Sequence, residues 1–581
     1  MFVIRLAVLA CLCGLAFLAT LGFASSNNSP PPFIPVVWVV SIGITLIFVF
    51  GWLFIHSLYS WRNFKRFLLG VACFAALIAL FYAEEDWRGK HDWDKFKRQW
   101  EAKGERFDVA SVVPSAVPDD QNYAMAPIFD AVDKSMSQKW RTQHENPHYG
   151  KDGDFMPWDT NIVDRLDMGV TYDDQLPPTN GIGDWQSARM SDLTSWQDYY
   201  RTLAAKTNLF PVASQPQTPA QDVLLALSKY NSTIEELQEA SRRPYSRFPL
   251  DYDDENPAEI LLPHLADLKR CSQVLQLHAL AELQNNQNDK ALANVKLILY
   301  LANSLRTEPI LISHLVRIAI VSIALQPIWE GMAEHKWSDA QLAELDSELA
   351  KFNFLSSYQT TMRGEMVLFQ GGIFDYLRRH PERLYGLFAL SESGNSLPPV
   401  PARIIARLIP RGWFYQNQLN CARMILEFDL PVVNPDQRTV SPSAVRKADT
   451  AAQADVRHVG PYNIFERMLL PALGAASKKF AWAQESVDLA RVAIALERYR
   501  LAHGKYPASL DALAPHFMAK IPHDIINGEP LHYRRRDDGQ FVLYSVGWNE
   551  TDDGGVVGLY KGSLSRIDIS QGDWVWRYPA R

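Results

Sequence analysis

The sequence predicts a mainly α-helical protein with N-terminal transmembrane helices, a large soluble region of helical hairpins and a small α+β domain at its carboxyl end. Three observations indicate this architecture. Long uncharged apolar runs open the chain, and apolar residues recur at three- and four-residue intervals through its middle. Near the end, a long apolar-faced helix precedes a β-hairpin pattern.

Composition excludes a single small module and argues against a nucleic-acid partner. The chain has 581 residues, enough for several domains, and a formal net charge of −7. An acidic excess offers no general basic footprint for phosphates, so we expect no binding of nucleic acid. Five cysteines are present, and only Cys271 and Cys421 lie outside apolar runs. These two form either one disulfide or two separate thiols, and their isolation favours thiols.

Residues 1–83 are predicted to form a cluster of transmembrane helices. Three uncharged runs are each near the roughly 20 residues that cross hydrocarbon, and they cover residues 6–23, 34–55 and 67–83. Backbone amides cannot stay unpaired in lipid, so these runs must be helical. The first run has an alternative as a cleaved signal peptide, because Gly22 and Ala24 are the small residues that a signal peptidase reads.

Loop charges set the predicted orientation. The loop at 25–33 has no Lys or Arg, whereas the loop at 56–66 carries three basic residues and is expected in the cytoplasm. The region after residue 83 is then exported, which predicts a multi-pass membrane protein with its bulk on the extracytoplasmic side. Basic residues between 88 and 98 oppose this assignment, although large exported domains often ignore flanking charge.

Residues 84–216 are predicted to form an amphipathic stalk followed by irregular structure. Aromatic residues with partly helical spacing punctuate the charged segment 84–106, and they are Trp87, Trp93, Phe96 and Trp100. These rings either favour the lipid headgroup region or pack onto the next domain, and the pattern does not choose between the two. The segment 107–216 is rich in Pro, Asp, Asn and Gly, which predicts irregular structure on a helical core.

Residues 217–433 are predicted to form helical hairpins. Capping signals stand at 218–221, 256–259 and 338–341, and helices are predicted at 261–283, 289–305 and 309–329. The first two helices and their turn resemble one tetratricopeptide unit, although its consensus does not repeat. The third helix is apolar enough for another span, but His314, Arg317 and Pro327 favour a buried core helix. The polar, Ala-rich segment 434–460 is interpreted as a linker.

Residues 461–581 are predicted to form a long helix followed by a small sheet. The helix pattern ends at Gly504, and strands at 531–534 and 541–546 flank a turn at 537–539. Tyr533 and Tyr544 are expected to pack the sheet on the helix.

This module resembles the head domain of the major pseudopilins of type II secretion systems. The resemblance rests on an ordered series of short motifs, at 495–500, 503–507, 509–513, 521–524, 528–533 and 543–547. A pseudopilin also needs a leader followed at once by a hydrophobic helix, whereas Lys478 and Lys479 interrupt the apolar pattern here. The resemblance therefore implies a borrowed head rather than a filament subunit. The remainder, especially 84–129, resembles uncharacterised bacterial membrane-anchored envelope proteins, which implies no mechanism.

The same resemblance implies a calcium site in the loop 547–555, because the family binds the ion in the loop after its last core strand. The candidate ligands are Asn549, Asp552 and Asp553, whose oxygens suit a hard cation. The alternative is a solvated acidic turn, since the spacing matches no complete calcium loop. We expect no other cofactor.

The sequence predicts no set of catalytic residues. Enzymatic activity therefore stays open, and the sequence favours a protein without it. His144 and His148 match a zinc-protease string, but Pro147 breaks the helix that such a site requires. The leading hypothesis is a non-enzymatic envelope protein that contacts membrane lipid and other envelope or secretion proteins. The alternative is a membrane-tethered, exported hydrolase with its site in 107–216. The sequence identifies no small-molecule ligand.

Overall fold

The computed structural model describes residues 61–129, 165–172, 181–252, 254–384, 405–455, 460–562 and 566–579, with positions 49, 52 and 178. It is mainly helical with small antiparallel sheets, as the sequence predicts. The first two apolar runs lie outside these residues apart from positions 49 and 52, so the cluster of three transmembrane helices stays a prediction. The chain divides into two compact units, Met1–Arg88 and Gly89–Arg581.

The first long helix, α1 (Trp61–Glu101), contains the third apolar run. Its 18-residue apolar window has a mean hydropathy of 2.1, and none of that window is buried. Leu69, Leu77 and Leu80 are 66%, 64% and 65% exposed. By length and composition, this helix can cross a membrane.

Farther along α1, the aromatic residues of the predicted stalk differ in their environment. Trp93 and Phe96 are buried in the main hydrophobic core, and their rings lie 5.6 and 6.5 Å from the ring of Phe107. Trp87 is 67% exposed. Trp93 and Phe96 therefore pack onto the next domain, whereas Trp87 is mostly exposed.

The described residues in the middle of the chain include eight α-helices. They are α2 (Leu193–Ala204), α3 (Pro219–Leu227), α4 (Asn231–Ala240), α5 (Pro263–Gln284), α6 (Asn288–Ser304), α7 (Leu311–Ala333), α8 (Asp339–Leu349) and α9 (Phe354–Gly364). The capping boxes predicted at Thr218 and Ser338 are confirmed, because each hydroxyl accepts from the amide three residues on and a glutamine side chain answers it. At Asn256 only the short 3-10 turn Pro257–Glu259 forms.

Helices α5, α6 and α7 pack against one another. Their ends differ from the predicted helix ends by at most four residues. Helix α7 is also apolar enough to cross a membrane, but 61% of its apolar window is buried inside the protein. His314 and Arg317 on this helix are fully buried. Helix α7 is thus a core helix of the unit Gly89–Arg581, as its polar residues predict. Cys271 on α5 and Cys421 are separate buried thiols.

The chain continues through π-helical turns and short elements. These are Glu365–Gly371, α10 (Gly372–Arg379), α11 (Arg411–Arg423), Met424–Asp429, β1 (Val433–Asn434), β2 (Thr439–Val440) and α12 (Pro442–Asp455). Short 3-10 turns occupy part of the segment predicted to be irregular, at Val109–Ser111, Asp119–Gln121, Tyr123–Met125 and Pro127–Phe129. Strands β1 and β2 and helix α12 lie almost entirely within the segment 434–460. This segment, interpreted from sequence as a linker, therefore contains a small hairpin and a helix.

Helix α13 (Ile464–His503) has 40 residues and runs through the core of the unit Gly89–Arg581. It contacts α7, α8, α9 and α11, and it also contacts two strands of the carboxyl-terminal sheet. Residues 483–490 are all buried, as expected for a helix without a solvent face. The helix ends at Gly504, whose φ of 77° is the left-handed cap that the sequence predicts.

The carboxyl-terminal sheet is antiparallel in the order β3-β4-β7, and β5 pairs with β6. The strands are β3 (His532–Arg535), β4 (Phe541–Ser545), β5 (Val557–Leu559), β6 (Ile567–Gly572) and β7 (Trp574–Arg577). The hairpin predicted around 537–539 is confirmed by the pairing of β3 with β4.

The two sheet tyrosines lie on opposite faces. Tyr533 pairs with Leu543, and His532 pairs with Tyr544, so neighbouring positions alternate between the faces. Tyr533 packs against the main core, whereas Tyr544 lies in a separate cluster with Val542. The prediction that both tyrosines pack on the helix is therefore wrong for Tyr544.

Buried carboxylates join α13 to the loop before β3. Glu485 Oε2 accepts a hydrogen bond from the Ile525 amide at 3.2 Å, and Asp524 Oδ2 accepts one from the Val546 amide at 2.9 Å. Burial, with the negative charges of Asp524 and Asp488, raises the pKa of Glu485 well above its usual range. Glu485 thus joins helix α13 to the loop before β3, and the burial and negative charge around it favour its protonated state.

We expect Glu485→Gln to stabilise the protein at neutral pH. A raised pKa means that the folded state binds this proton more tightly, so stability is lost as the pH rises through the raised value. Glutamine keeps an acceptor for the Ile525 amide and carries no charge. In pH-stepped denaturant unfolding of the full-length chain in non-ionic detergent, the gain near pH 7.5 should be at least about 1.4 kcal/mol, the free energy of a tenfold difference in proton affinity.

The matched control is Glu235→Gln on α4, because Glu235 is exposed. This variant should follow the wild-type stability profile at every pH, and Glu485→Gln should converge with the wild type near about pH 4. A Glu485→Gln protein that is less stable than the wild type above neutral pH would contradict the assignment.

Candidate functional site

The loop that carries the predicted metal ligands connects β4 to β5. Gly547, Gly554 and Gly555 have φ values of 68°, 72° and 81°, a region that favours glycine. A Cβ at Gly547 would lie 2.4 Å from the carbonyl oxygen of Gly572. These glycines let the loop turn back against the start of β7.

Asp573, which no sequence pattern singled out, holds this loop in place. Its Oδ1 accepts a hydrogen bond from the Asp553 amide at 3.1 Å, and its Oδ2 accepts one from the Gly555 amide at 2.6 Å. Its own amide donates to the Val556 carbonyl at 2.8 Å. Burial, with the charges of Asp553 and Asp552 nearby, raises the pKa of Asp573. The loop is therefore closed around one buried carboxylate.

Asp552 lies on the exposed side of the loop. Its Oδ1 accepts from the Gly554 amide at 2.9 Å and from the Tyr544 hydroxyl at 3.1 Å, and its Oδ2 lies 3.6 Å from His532 Nδ1. The hydrogen bond from the Gly554 amide is the main cause that lowers the pKa of Asp552. This carboxylate is ionised at neutral pH, and part of its acceptor capacity is already used.

Asn549 and Asp553 lie side by side, while Glu550, which follows Asn549 in the chain, turns elsewhere. Asn549 Nδ2 donates to Asp553 Oδ2 at 2.8 Å, and Asn549 Oδ1 accepts from the Thr551 amide at 3.2 Å. Glu550 has a φ of 59° and forms an ion pair with Arg446 on α12. The loop is therefore also tied to the helix in the segment interpreted as a linker.

The described geometry does not assemble a calcium ligand set. Calcium takes six to eight oxygens at about 2.3–2.6 Å around one point. Here oxygens of Asn549, Asp552 and Asp573 accept from amides of the loop backbone and so are directed at that backbone. Among the described residues, no group of three or more His, Cys, Asp or Glu side chains is placed to hold a metal ion. Calcium binding at Asn549, Asp552 and Asp553 stays a prediction.

No match was found when the chain was compared with models of protein families, with curated proteins and with solved structures. The site is therefore interpreted from its own residues.

The remaining sequence candidates do not form a second site in the described part of the chain. His144 and His148 lie outside the described residues. In the acidic run 251–255, Glu255 pairs with Arg379 at 2.6 Å and with His380 at 3.0 Å. The run thus supplies a surface ion pair, which is typical of a solvated face.

We expect Asp573→Asn to destabilise the head by about 1–3 kcal/mol, the usual cost of leaving a buried donor unpaired. Asparagine has one acceptor oxygen and cannot serve both the Asp553 and the Gly555 amides. Thermal unfolding of the full-length chain in detergent measures the loss. Asp537→Asn in the exposed β3–β4 turn is the matched control and should leave the midpoint unchanged.

The same unfolding assay tests calcium. If the ion binds the loop, it raises the midpoint of the wild type in a saturable way, and Asp553→Asn loses that increase. A wild-type midpoint that does not respond to calcium discards the calcium prediction.

Proposed function

We propose that this chain is a bacterial inner-membrane envelope protein, anchored by its N-terminal apolar segments. The unit Gly89–Arg581 then lies on the extracytoplasmic side and makes non-enzymatic contacts with other envelope or secretion proteins. The observation that carries the proposal is the apolar window of α1, none of which is buried.

An uncovered apolar helix of this kind is unfavourable in water. No charged residue occurs between positions 67 and 83. The large exposed side chains of this segment are Leu68, Leu69, Val71, Leu77, Ile78, Leu80 and Phe81. Each such side chain gains about 1.5–3 kcal/mol when it leaves water for an apolar surrounding. Lipid hydrocarbon supplies that surrounding along the whole segment.

The carboxyl-terminal module supports an assembly role. It has a helix ended at Gly504, a turn at Gly528 with a φ of 77°, and the antiparallel pair of β3 and β4. These elements contain several of the short sequence motifs on which the resemblance to a pseudopilin head rests. Residues 483–490 of helix α13, however, are all buried and the helix contacts α7, α9 and α11, so this part of the helix has no exposed face for packing into a filament. The arrangement favours a fixed head over a polymerising subunit.

The head also has an exposed apolar patch, formed by Val556, Leu559 and Tyr560. These side chains are 58%, 41% and 43% exposed and lie on and beside β5. Clustered apolar side chains at a surface are a common feature of protein contact sites. We take this patch as the contact surface of the head.

A topology reporter tests the anchor and its orientation. With three spans, a carboxyl-terminal reporter that is active only outside the cytoplasm should be active in the wild type. Arg at the centre of a span costs about 2.5–3.5 kcal/mol per residue. The double variant Leu77→Arg, Leu80→Arg should therefore lose the third crossing and leave the reporter in the cytoplasm.

The control is Leu209→Arg, Leu408→Arg, because both leucines are exposed in the unit Gly89–Arg581. This variant should keep the wild-type topology. A wild-type reporter that is active only in the cytoplasm would overturn the proposed location.

In-cell cross-linking tests the assembly role. The full-length chain should form discrete cross-links with envelope proteins, and Val556→Asp, Tyr560→Asp should remove them. Leu209→Asp, which places the same charge on a distant exposed leucine, should keep them. Stoichiometric zinc and hydrolase activity that are both lost in His144→Ala, His148→Ala would favour the hydrolase alternative instead.

A further inference from the structure

A cavity of about 250 Å³ opens between the end of α6, the α7 helix and the first turns of α9. Its lining is cationic and hydroxyl-rich and consists of Arg306, Arg317, Lys351, Asn353, Ser356, Ser357 and Thr360. The lining contains no carboxylate. The cavity is smaller than the roughly 300–1,000 Å³ of sites for drug-sized ligands, so it suits a small anion or a small anionic group.

Arg317 is the central residue of this cavity. It is fully buried, and its Nε has no hydrogen-bond partner. One terminal nitrogen donates to the Ser357 hydroxyl at 2.8 Å. The guanidinium carbon lies 5.1 and 4.9 Å from the ring centroids of Phe352 and Phe354. The rings hold the guanidinium plane, and its Nε–H has no acceptor among the described residues.

No carboxylate of the described residues forms an ion pair with Arg317. Burial, together with the nearby positive charge of Arg306, lowers the pKa of Arg317 to about 9, so the group is still charged at neutral pH. An isolated buried charge is costly unless an opposite charge accompanies it. Arg306 is exposed and adds a second positive charge. Lys351 adds a third positive charge. Its ammonium group forms an exposed ion pair with Glu348 at 2.6 Å, so a bound anion must compete with Glu348 for Lys351.

The first turn of α9 adds to the positive potential. This helix has 11 residues, and its positive end lies beside the cavity at Asn353 and Ser356. The backbone amides of Phe354 and Ser356 are already used, by the Gln484 side chain at 2.8 Å and the Asn353 side chain at 3.0 Å. The hydroxyls of Ser357 and Thr360 likewise donate to the carbonyls of Asn353 and Ser356, at 2.9 and 3.4 Å. The helix therefore contributes its field, and the cations supply the donors.

We propose that this cavity binds a phosphoryl group, with Arg317 as its buried anchor and Arg306 and Lys351 as its outer cations. A phosphoryl dianion offsets the positive charge of these side chains and accepts several charge-assisted hydrogen bonds at once. It comes from free phosphate or from a phospholipid head group, and both present the same oxygens to the site. This site is independent of the membrane-anchoring role proposed above.

Calorimetric titration of the full-length chain in non-ionic detergent tests the site with inorganic phosphate, against chloride at equal ionic strength. We expect saturable binding of phosphate. Arg306→Gln and Lys351→Gln should each weaken it by about tenfold, the lower range for a charge-assisted hydrogen bond. Both side chains are exposed, so neither variant should impair folding. Ser357→Ala should also weaken phosphate binding, because it removes the hydroxyl that accepts a hydrogen bond from Arg317.

Lys269→Gln is the matched control, because Lys269 is an exposed lysine on α5 outside the cavity. It should bind phosphate as the wild type does. A second titration uses dihexanoyl phosphatidic acid below its micellar concentration. Tighter binding of this lipid than of phosphate, with the same loss in Arg306→Gln, supports a head group as the source, and equal binding supports free phosphate.

The proposal is overturned if phosphate and the short-chain lipid bind no better than chloride. It is also overturned if binding persists unchanged in both Arg306→Gln and Lys351→Gln, since the anion would then lie elsewhere. Neither result affects the topology of the chain.

Discussion

The fold depends on the burial of the central part of helix α13. Residues 483–490 have no solvent face, and the helix contacts both the helical middle and the strands β4 and β7. The helical region and the carboxyl-terminal sheet consequently share one hydrophobic core. Two buried carboxylates of this helix have partners: Glu485 Oε2 accepts from the Ile525 amide, and Asp488 pairs with Arg438. Packing thus limits the head to one position on the helical middle.

Local signals predicted much of this architecture, and long-range contacts decided the rest. Caps at Thr218 and Ser338 and the end of a helix at Gly504 depend on neighbouring residues, so the sequence pattern was sufficient. The segment 434–460 is different. Its hairpin is joined to a distant segment through the Val440 amide, which donates at 2.7 Å to the carbonyl of Ile525. Because that partner is distant in sequence, composition indicated only a linker.

The same distinction applies to the candidate site. Asn549, Asp552 and Asp553 lie in one segment, and their acidic spacing was visible in the sequence. Asp573 closes the loop from 20 residues away, and no motif marks it. Arg317 had a sequence signal, a charge within an apolar run, which indicated burial correctly. Its role as the anchor of a cavity depends on α9, which no local pattern places beside it.

The side-chain amide of Gln484 on α13 forms hydrogen bonds to two different helices. Gln484 accepts from the Phe354 amide at 2.8 Å, and its Nε2 donates to Asp488 at 3.2 Å. A glutamate at this position would place a second carboxylate against Asp488, and a leucine would leave the Phe354 amide unpaired. Only a side chain that accepts and donates at this length satisfies both neighbours. Evolutionary drift at position 484 is therefore restricted by its two hydrogen-bond partners, although no proposed ligand touches it.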